Sequence, residues 1–345
     1  MRIGLIAPPF VPVPPPAYGG TELMLDGLAR GLRDAGHEVL LFCTGDSTCP
    51  VPRRWLLPRA AVDRMGSTRP ELRHVISAYE AVKGSDVIHD HTLIGPIYAG
   101  RFDTLPLVTT NHMPFDEEMS DIYGAIGDRV PIIAISRAQA RQARTVPIAR
   151  VIHHGIDARD FPFGKGDGGY VLFLGRMSHE KGVKQAALVA ARTGARLLIA
   201  ARMSWPQERT YFEEEVRPLL SDRIEFVGEV GARRKRELLA NARAVLNPIC
   251  WPEPFGLVMI EALACGTPVL AFPEGAAAEI VEHGVTGFLC RDEDDMAARL
   301  DEVGSLDRRD CRAAVEGYFS TRRMVAEHVE LFEQILSGAF ASGSW

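Results

Sequence analysis

Two carboxylates around a predicted helix start are the residues best placed for chemistry. Glu253 and Glu261 lie in the stretch 247–269, with seven residues between them. A helix is predicted to begin near Phe255-Gly256, where unpaired backbone N–H groups suit a phosphate and glycine permits close approach. Glu253 would precede this helix, and Glu261 would lie more than one turn inside it, leaning back toward its start. We therefore expect both carboxylates to contact one ligand, although two solvated surface acids would show the same spacing.

Two cations, Arg176 and Lys181, follow the strand predicted at residues 170–174. Ligands of parallel α/β sheets bind at the carboxyl ends of the strands. Arginine binds phosphate through two parallel hydrogen bonds, whereas lysine acts as a point charge. The alternative is an ordinary basic helix start, which the helix dipole disfavours. The pattern therefore predicts an anionic ligand.

The first half of the chain holds a second set of candidates. Gly19-Gly20 follows the strand predicted at residues 2–7 and precedes a helix, which again suits a phosphate. His112 also follows a predicted strand, so we expect it to contact the ligand, the alternative being a supporting role behind the site. His91 is a weaker candidate. No GxGxxG motif is followed by an acidic residue about twenty positions later, which disfavours a dinucleotide site.

Five segments, in order across about 300 residues, resemble the motifs of the family-4 retaining glycosyltransferases, or glycosyl transferases group 1, which have the GT-B fold. The segments are YGGTE (18–22), DVIHDH (86–91), FLGRMSHEKG (173–182), EPFGLVMIEALACGTPV (253–269), and Glu279 with GVTGF (284–288). The chain departs from the family in the segment that begins at His153-His154. Here His154 and Gly155 form a His-Gly pair, where Asn-Gly is commoner in the family.

The resemblance implies a role for each candidate. Arg176 and Lys181 would bind the donor diphosphate and neutralise the leaving group. Glu253 would bind hydroxyls of the donor sugar, and Glu261 those of the ribose. His112 would contact the transferred sugar. The other residues expected to bind the donor, largely through their backbone, are Gly19, Gly20, Gly175, Gly228, Val230, Phe255, Gly256, Leu257 and Val258. Of these, Gly228 and Val230 would contact the nucleobase.

The reaction that the resemblance implies is transfer of a sugar from a UDP- or GDP-linked donor to an acceptor hydroxyl. It would retain the anomeric configuration by a front-face mechanism, with neither metal nor cofactor. No residue reads as a covalent nucleophile with a partner acid. The acceptor would contain a sugar or be lipid-linked. The alternatives are another GT-B enzyme, such as a sugar-nucleotide epimerase, and a catalytically silent subunit that binds a nucleotide sugar.

Short apolar runs that alternate with amphipathic segments must position these residues. This pattern is typical of α/β proteins and predicts two Rossmann-like domains facing each other across a cleft. We expect an acceptor-binding domain at 1–155, a nucleotide-sugar-binding domain at 156–321, and a C-terminal helix, 322–345, that returns to the first domain. The segment 155–169, with five glycines, is the predicted linker. The strands are predicted at 2–7, 38–42, 86–89, 107–110, 131–135, 150–153, 170–174, 196–200, 223–227, 244–246 and 268–271.

Composition narrows the class of protein. The chain has 345 residues, of which 46% are hydrophobic and 24% charged, so two ordinary domains are expected. A net charge of −6 argues against nucleic-acid binding. Six isolated cysteines predict free thiols in the cytoplasm and no zinc site.

Residues 53–59 are both basic and apolar. We expect Trp55 and Leu57 to pack inward, the alternative being peripheral contact with the inner face of a membrane.

Overall fold

Residues 1–101 and 105–338 are described by the computed structural model, in which the chain divides into two units. One unit comprises Met1–Gly155 together with the segment that begins at Thr321, and the other comprises Ile156–Ser320. Residues 339–345 of the predicted C-terminal segment lie outside the described residues. Each unit is built on its own parallel sheet, as the alternation of strands and helices predicts.

The sheet of the first unit has seven strands, six of which are predicted. Its strands are β1 (Arg2–Ile6), β2 (Glu38–Cys43), β3 (Arg53–Trp55), β4 (Val87–Asp90), β5 (Leu107–Thr110), β6 (Ile132–Ala134) and β7 (Ile148–Val151). Its helices before the unit boundary are α1 (Gly20–Asp34), α2 (Thr68–Val82), α3 (Gly95–Ala99), α4 (Glu117–Gly124) and α5 (Arg137–Gln142). The strand order is β3-β2-β1-β4-β5-β6-β7. The order reverses beside β1 and β4, so the segments that follow these strands meet at the usual ligand-binding point of such a sheet.

The second unit repeats this arrangement with six strands. They are β8 (Val171–Arg176), β9 (Leu197–Arg202), β10 (Ile224–Gly228), β11 (Val245–Asn247), β12 (Val269–Ala271) and β13 (Gly287–Leu289), in the order β10-β9-β8-β11-β12-β13. The helices are α6 (Val183–Thr193), α7 (Pro206–Tyr211), α8 (Ala232–Asn241), α9 (Leu257–Ala264), α10 (Ala277–Ile280), α11 (Glu293–Glu302) and α12 (Arg308–Gly317). The order reverses between β8 and β11, which end beside the two most informative motifs.

Apolar side chains alternate between the two faces of the first sheet because a strand has a period of two. Leu5 packs beneath α1, and Ile6 packs on the opposite face beneath α2. Helix α1 buries one apolar stripe on the sheet, formed by Met24, Leu25, Leu28, Ala29 and Leu32. These layers hold β1 and β4 rigidly, so the residues that follow them have fixed starting points.

The glycine-rich segment 155–169 lies almost wholly within the second unit. The backbone N–H of Gly164 donates to the carbonyl of Cys265 at 3.0 Å, and Arg308 Nε donates to the carbonyl of Gly164 at 2.8 Å. A β-carbon at position 164 would collide with the carbonyl of Ala240. The small residues here permit close packing against α8 and α9. The boundary between the two units lies at the start of this segment, and the rest of the segment belongs to the second unit.

The final helix, α13 (Thr321–Leu336), packs on α1 in the first unit. A β-carbon at Gly31 would lie 2.5 Å from Val325 Cγ2, so glycine allows the two helices to approach closely. The helix also buries Leu331 and Phe332 in the core above β1.

The surface of the first unit differs from one expectation. Trp55, on the edge strand β3, is 51% exposed, so the prediction that it packs inward is wrong. An edge strand has a neighbour on one side only, and the sheet therefore does not cover this ring. Within the described ranges, no helix is both long and apolar enough to cross a membrane.

Candidate functional site

The loop between β11 and α9 brings the predicted ligand-binding residues to the carboxyl end of the second sheet. Gly256 is the N-cap of α9, with φ +91°, a conformation that favours glycine. A β-carbon there would also lie 2.7 Å from Met259 Cε. Phe255 is buried beneath the turn, and Leu257 and Val258 form the first turn of the helix. Glycine thus keeps the backbone at the start of α9 accessible to an anion.

Glu253 lies just before this helix and is held at both its backbone and its side chain. Its carbonyl accepts a hydrogen bond from the N–H of Ala276 at 3.0 Å. Its carboxylate Oε2 accepts hydrogen bonds from Lys181 Nζ and Trp251 Nε1. Within the described part of the chain, the other oxygen, Oε1, has no hydrogen-bond partner. It therefore keeps its capacity to accept a bond from a ligand hydroxyl.

Lys181 reaches Glu253 because two loops pack directly against each other. Lys181 ends a short 3-10 helix, and Gly182 follows it with φ +73°. A β-carbon at Gly182 would collide with the carbonyl of Pro248, in the loop after β11. The ammonium also lies 5.1 Å from the ring of Trp251, close enough for a cation–π contact. The side chain of Lys181 is only 11% exposed, so most of it is buried.

Arg176 ends β8, one residue after Gly175, whose β-carbon position is 3.9 Å from Lys181 Cβ. The guanidinium lies 3.9 Å from Oε1 of Glu208, a buried carboxylate. Glu208 Oε2 accepts hydrogen bonds from the N–H groups of Ser204 and Trp205, at 2.6 and 3.0 Å. Among the residues that the structure describes, its Oε1 is buried without a hydrogen bond. Glu208 therefore attracts Arg176 without binding it directly, and the guanidinium remains available to a ligand.

Glu261 is almost fully buried in α9, and its Oε1 forms an ion pair with Lys235 of α8. Considering residues 1–101 and 105–338, Oε2 of Glu261 has no hydrogen-bond partner. Lys235 was not among the predicted site residues, and neither was Glu208. Lys235 lies in a basic run, 233–236, that reads as a solvated helix face, so only the fold identifies it as the partner of Glu261.

The end of β10 forms an open edge near α8. Gly228 has φ +78°, and a β-carbon there would meet no atom of the described residues within 4 Å. The pairing of β10 with β9 shifts register between Phe226 and Gly228, which ends the ladder at this point. Val230 follows and is partly buried. The backbone of 228–230 is thus available at the carboxyl edge of the sheet, where base binding is predicted.

In the first unit, the predicted residues follow β1 and the strands beside it. Gly19 is the N-cap of α1 with extended backbone, and Gly20 is the first helical residue. A β-carbon at Gly19 would lie 2.7 Å from Pro15 Cβ, so the proline-rich loop packs against this turn. His112 follows β5, and its Nε2 lies 2.9 Å from Nδ1 of His91, which follows β4.

Burial keeps these imidazoles neutral. Loss of solvation, with a smaller contribution from His328, lowers the pKa of His112 to about 3. Loss of solvation and neighbouring imidazoles likewise hold the pKa values of His91 and His154 well below their usual range. His154, where the sequence departs from the family, stacks on His112 with ring centroids 5.5 Å apart.

Across the described ranges, no three His, Cys, Asp or Glu side chains are grouped to hold a metal ion.

Comparisons with known proteins agree with this architecture. Residues 157–316 match the family model for Glycosyl transferases group 1, and residues 18–160 match that for Glycosyltransferase Family 4. A phosphatidyl-myo-inositol mannosyltransferase from Mycolicibacterium smegmatis is 28% identical, over 93% of this chain and 89% of the relative.

Two solved structures carry the same fold. AviGT4, a glycosyltransferase involved in avilamycin A biosynthesis, has a TM-score of 0.74 and 27% identity, covering 98% of both chains. Anabaena Alr3699/HepE, solved in complex with UDP and glucose, has a TM-score of 0.76 and 21% identity, covering 97% of this chain and 100% of that one. The predicted resemblance is confirmed: the chain belongs to the group 1 glycosyltransferases and is a glycosyltransferase enzyme of the GT-B fold.

Proposed function

We propose that this glycosyltransferase takes its sugar from a nucleoside diphosphate sugar and transfers it to an acceptor hydroxyl with retention of anomeric configuration. The observation that carries the proposal is the Lys181–Glu253 ion pair just before α9, with Glu261 just over one turn inside that helix. Cations, a helix N-terminus and two carboxylates in this order suit the three parts of such a donor: diphosphate, sugar and ribose.

The diphosphate would bind to Lys181, Arg176 and the first N–H groups of α9. Lys181 currently neutralises Glu253, so an incoming phosphate would share its ammonium. Arg176 makes no hydrogen bond to Glu208 and is free to turn toward the phosphate. As the bond to the sugar breaks, negative charge grows on the diphosphate, and these groups stabilise it where it forms.

Each carboxylate has one oxygen left for the donor hydroxyls. Glu253 Oε1 would accept from a sugar hydroxyl while Lys181 and Trp251 hold its Oε2. Glu261 Oε2 would accept from the ribose while Lys235 holds its Oε1. The backbone of Phe255, Gly256, Leu257 and Val258 would hold sugar and phosphate oxygens. Gly175 would lie along the diphosphate, and the backbone at Gly228 and Val230 would contact the base.

Retention would follow a front-face path in which the acceptor proton passes to a leaving phosphate oxygen. A covalent route through Glu253 is disfavoured because its carboxylate is held by a cation and an indole N–H. We propose that no metal is needed, since Lys181, Arg176 and α9 already supply positive charge at the diphosphate.

In the first unit, Gly19, Gly20 and His112 would bind the donor, and the same unit would hold the acceptor.

UDP is our first candidate nucleotide because HepE, which shares the fold, was solved with UDP and glucose. GDP is the second candidate. The likeness to a phosphatidylinositol mannosyltransferase makes a lipid-linked acceptor one candidate, beside a sugar-containing one.

A peripheral membrane contact is proposed for the surface formed by β3 and α2. Helix α2 exposes Leu72 and Ile76, and β3 exposes Trp55, although the chain is acidic overall. In the described parts of the chain, no ion pair involves the nearby arginines, namely Arg54, Arg59, Arg64, Arg69 and Arg73. Co-sedimentation with phosphatidylglycerol vesicles, but not with phosphatidylcholine vesicles, is the expected result. Equal recovery with both would contradict the contact.

A thermal-shift panel of nucleotides and nucleotide sugars is the first test of the donor, since a ligand of the folded state raises the melting temperature. The donor that stabilises most should slowly release its nucleoside diphosphate when incubated alone. An epimerase would instead convert the donor sugar without acceptor, and a silent subunit would bind without turnover. NMR of the glycosylated product then reports the anomeric configuration, and inversion would contradict the proposed path.

A further inference from the structure

Five imidazole rings are in contact in the core of the first unit. Ring centroids lie 3.9 Å apart for His89 and His91, 5.2 Å for His91 and His112, 5.5 Å for His112 and His154, and 5.1 Å for His89 and His328. We call these rings the histidine stack. All except His112 are buried, and His112 is partly exposed at the end of β5. The stack therefore runs from the core to the surface at the carboxyl end of the sheet.

The bond between His91 and His112 requires a choice of tautomer. Nδ1 of His91 and Nε2 of His112 are 2.9 Å apart, and a hydrogen bond between two neutral rings needs one donor and one acceptor. Both rings are neutral at pH 7 because loss of solvation disfavours their charged forms. One ring must therefore carry its proton on the shared side, and the other on its far side.

The far nitrogen of His91 decides between the two arrangements. Nε2 of His91 is buried and has no hydrogen-bond partner within residues 1–101 and 105–338. A buried N–H without an acceptor is rare and costly in proteins, whereas an unshared acceptor is better tolerated. The proton of His91 thus belongs on Nδ1, which donates to Nε2 of His112. His112 is then protonated on its own Nδ1.

Nδ1 of His112 is the nitrogen that remains open. Within the described residues it has no hydrogen-bond partner, yet it is not among the buried side-chain atoms that lack one, so it is open to solvent. We infer that His91 is a positioning residue that fixes the tautomer of His112, so that His112 presents a hydrogen-bond donor, Nδ1–H, to an oxygen of the transferred sugar. The inference rests on the proposed function, in which His112 contacts that sugar. It makes His112 a donor to the substrate rather than a proton acceptor.

Two pairs of isosteric substitutions test the inference by activity. The amide nitrogen of asparagine reproduces the position of imidazole Nδ1, so His91→Asn keeps the donor to His112, whereas His91→Leu removes it. We expect His91→Leu to lower kcat/KM about tenfold, the effect of one neutral hydrogen bond, and His91→Asn to recover most of that loss. His112→Asn should likewise retain more activity than His112→Gln, whose amide nitrogen sits at the Nε2 position.

Long-range 15N–1H NMR of the imidazoles reports the tautomer without any substrate. In the unsubstituted protein and in His91→Asn, His112 should show its proton on Nδ1, and in His91→Leu it should show a mixture. His89→Gln is the matched control, since His89 is in the stack but its Nε2, whose position the glutamine amide reproduces, bonds Thr110 Oγ1. It should leave the His112 signal unchanged.

The outcomes separate this inference from the proposed function. An Nε2–H form of His112 in the unsubstituted protein, or the same tautomer after His91→Leu, would overturn the role of His91 whatever the activity. An Nδ1–H form in a protein that transfers no sugar from any nucleoside diphosphate donor would uphold the tautomer and contradict the proposed function instead.

Discussion

Lys181 donates a hydrogen bond to Glu253 across 72 positions of sequence, and the two side chains are 11% and 13% exposed. The pair joins the segment after β8 to the segment after β11, where the strand order of the second sheet reverses. Each partner neutralises the other in a partly desolvated setting. A ligand that carries both phosphate and hydroxyl groups can therefore engage the two charges together.

Substitution of the cations should reduce the rate far more than the stability. We expect Lys181→Ala and Arg176→Ala each to lower turnover about a hundredfold, as loss of about 3 kcal/mol of leaving-group stabilisation implies. Glu253 keeps its bond from Trp251, so Lys181→Ala should cost only about 1 kcal/mol of unfolding free energy. Steady-state kinetics at saturating donor, with urea unfolding, measure both.

Lys184→Ala is the matched control for that experiment. Lys184 pairs with Glu215 at 2.8 Å on a surface where both side chains are more than one-third exposed. Its removal should leave turnover unchanged and stability within about 0.5 kcal/mol. Full activity of Lys181→Ala or Arg176→Ala would remove that residue from the diphosphate site.

Glu208 should act through Arg176. In Glu208→Gln, the amide oxygen can still accept from the N–H groups of Ser204 and Trp205, but the attraction to the guanidinium is lost. We expect the KM for donor to rise about three- to tenfold, with little change in melting temperature, as one weakened charge contact implies. Glu213→Gln, which removes an exposed partner of Arg217, is the control and should change neither quantity. An unchanged KM in Glu208→Gln would show that Arg176 is positioned without it.

Chelation should not affect the proposed reaction. Lys181, Arg176 and the start of α9 would supply the positive charge that a divalent ion supplies elsewhere. We expect the same initial rate with and without excess EDTA. A rate that EDTA abolishes and manganese or magnesium restores would contradict the metal-free mechanism.

Mild acid should destabilise the first unit. Histidines with lowered pKa values, all buried except the partly exposed His112, stay neutral in the folded state but take up protons when unfolded below about pH 6.5, so stability decreases as pH falls. These are His74 (pKa about 4), His112 (about 3), His328 (about 4), His89, His91 and His154. Asp90, with a pKa raised to about 6 by burial, and Glu71 oppose this trend but are fewer.

Urea unfolding from pH 7 to pH 5 measures that trend. The free energy of unfolding should fall with pH, and His74→Leu should reduce the slope by up to about 1.4 kcal/mol per pH unit, the value for one proton. Constant or rising stability on acidification would mean that the stack accepts protons while folded.

Sequence patterns predicted much of this fold because buried parallel strands are short apolar runs. They did not predict β3, since Arg53, Arg54 and Trp55 form an edge strand with no apolar pattern. The sequence also did not predict the exact start of α6, which begins at Val183 because Gly182 is left-handed and packs against the carbonyl of Pro248.

The candidate residues themselves were readable from motifs, but their partners were not. Lys235 reaches Glu261 across 26 positions, and Glu208 approaches Arg176 from α7, the helix after the neighbouring strand β9. His91 and His112 are 21 positions apart in sequence. Their hydrogen bond forms because β4 and β5, the strands that they follow, are adjacent in the sheet. Spacing within one element is local information, whereas these contacts depend on strand order.

Calorimetric titration of Glu253→Gln and Glu261→Gln tests the central claim, that the second unit binds the donor through these two carboxylates. Each variant is titrated with the nucleoside diphosphate and with the intact sugar nucleotide identified by thermal shift. Ribose hydroxyls are present in both ligands, but sugar hydroxyls in only one. Glu261→Gln should therefore weaken both ligands about tenfold, and Glu253→Gln should weaken the sugar nucleotide alone by a similar factor. Equal losses for both ligands in both variants, or no loss in either, would contradict the assignment.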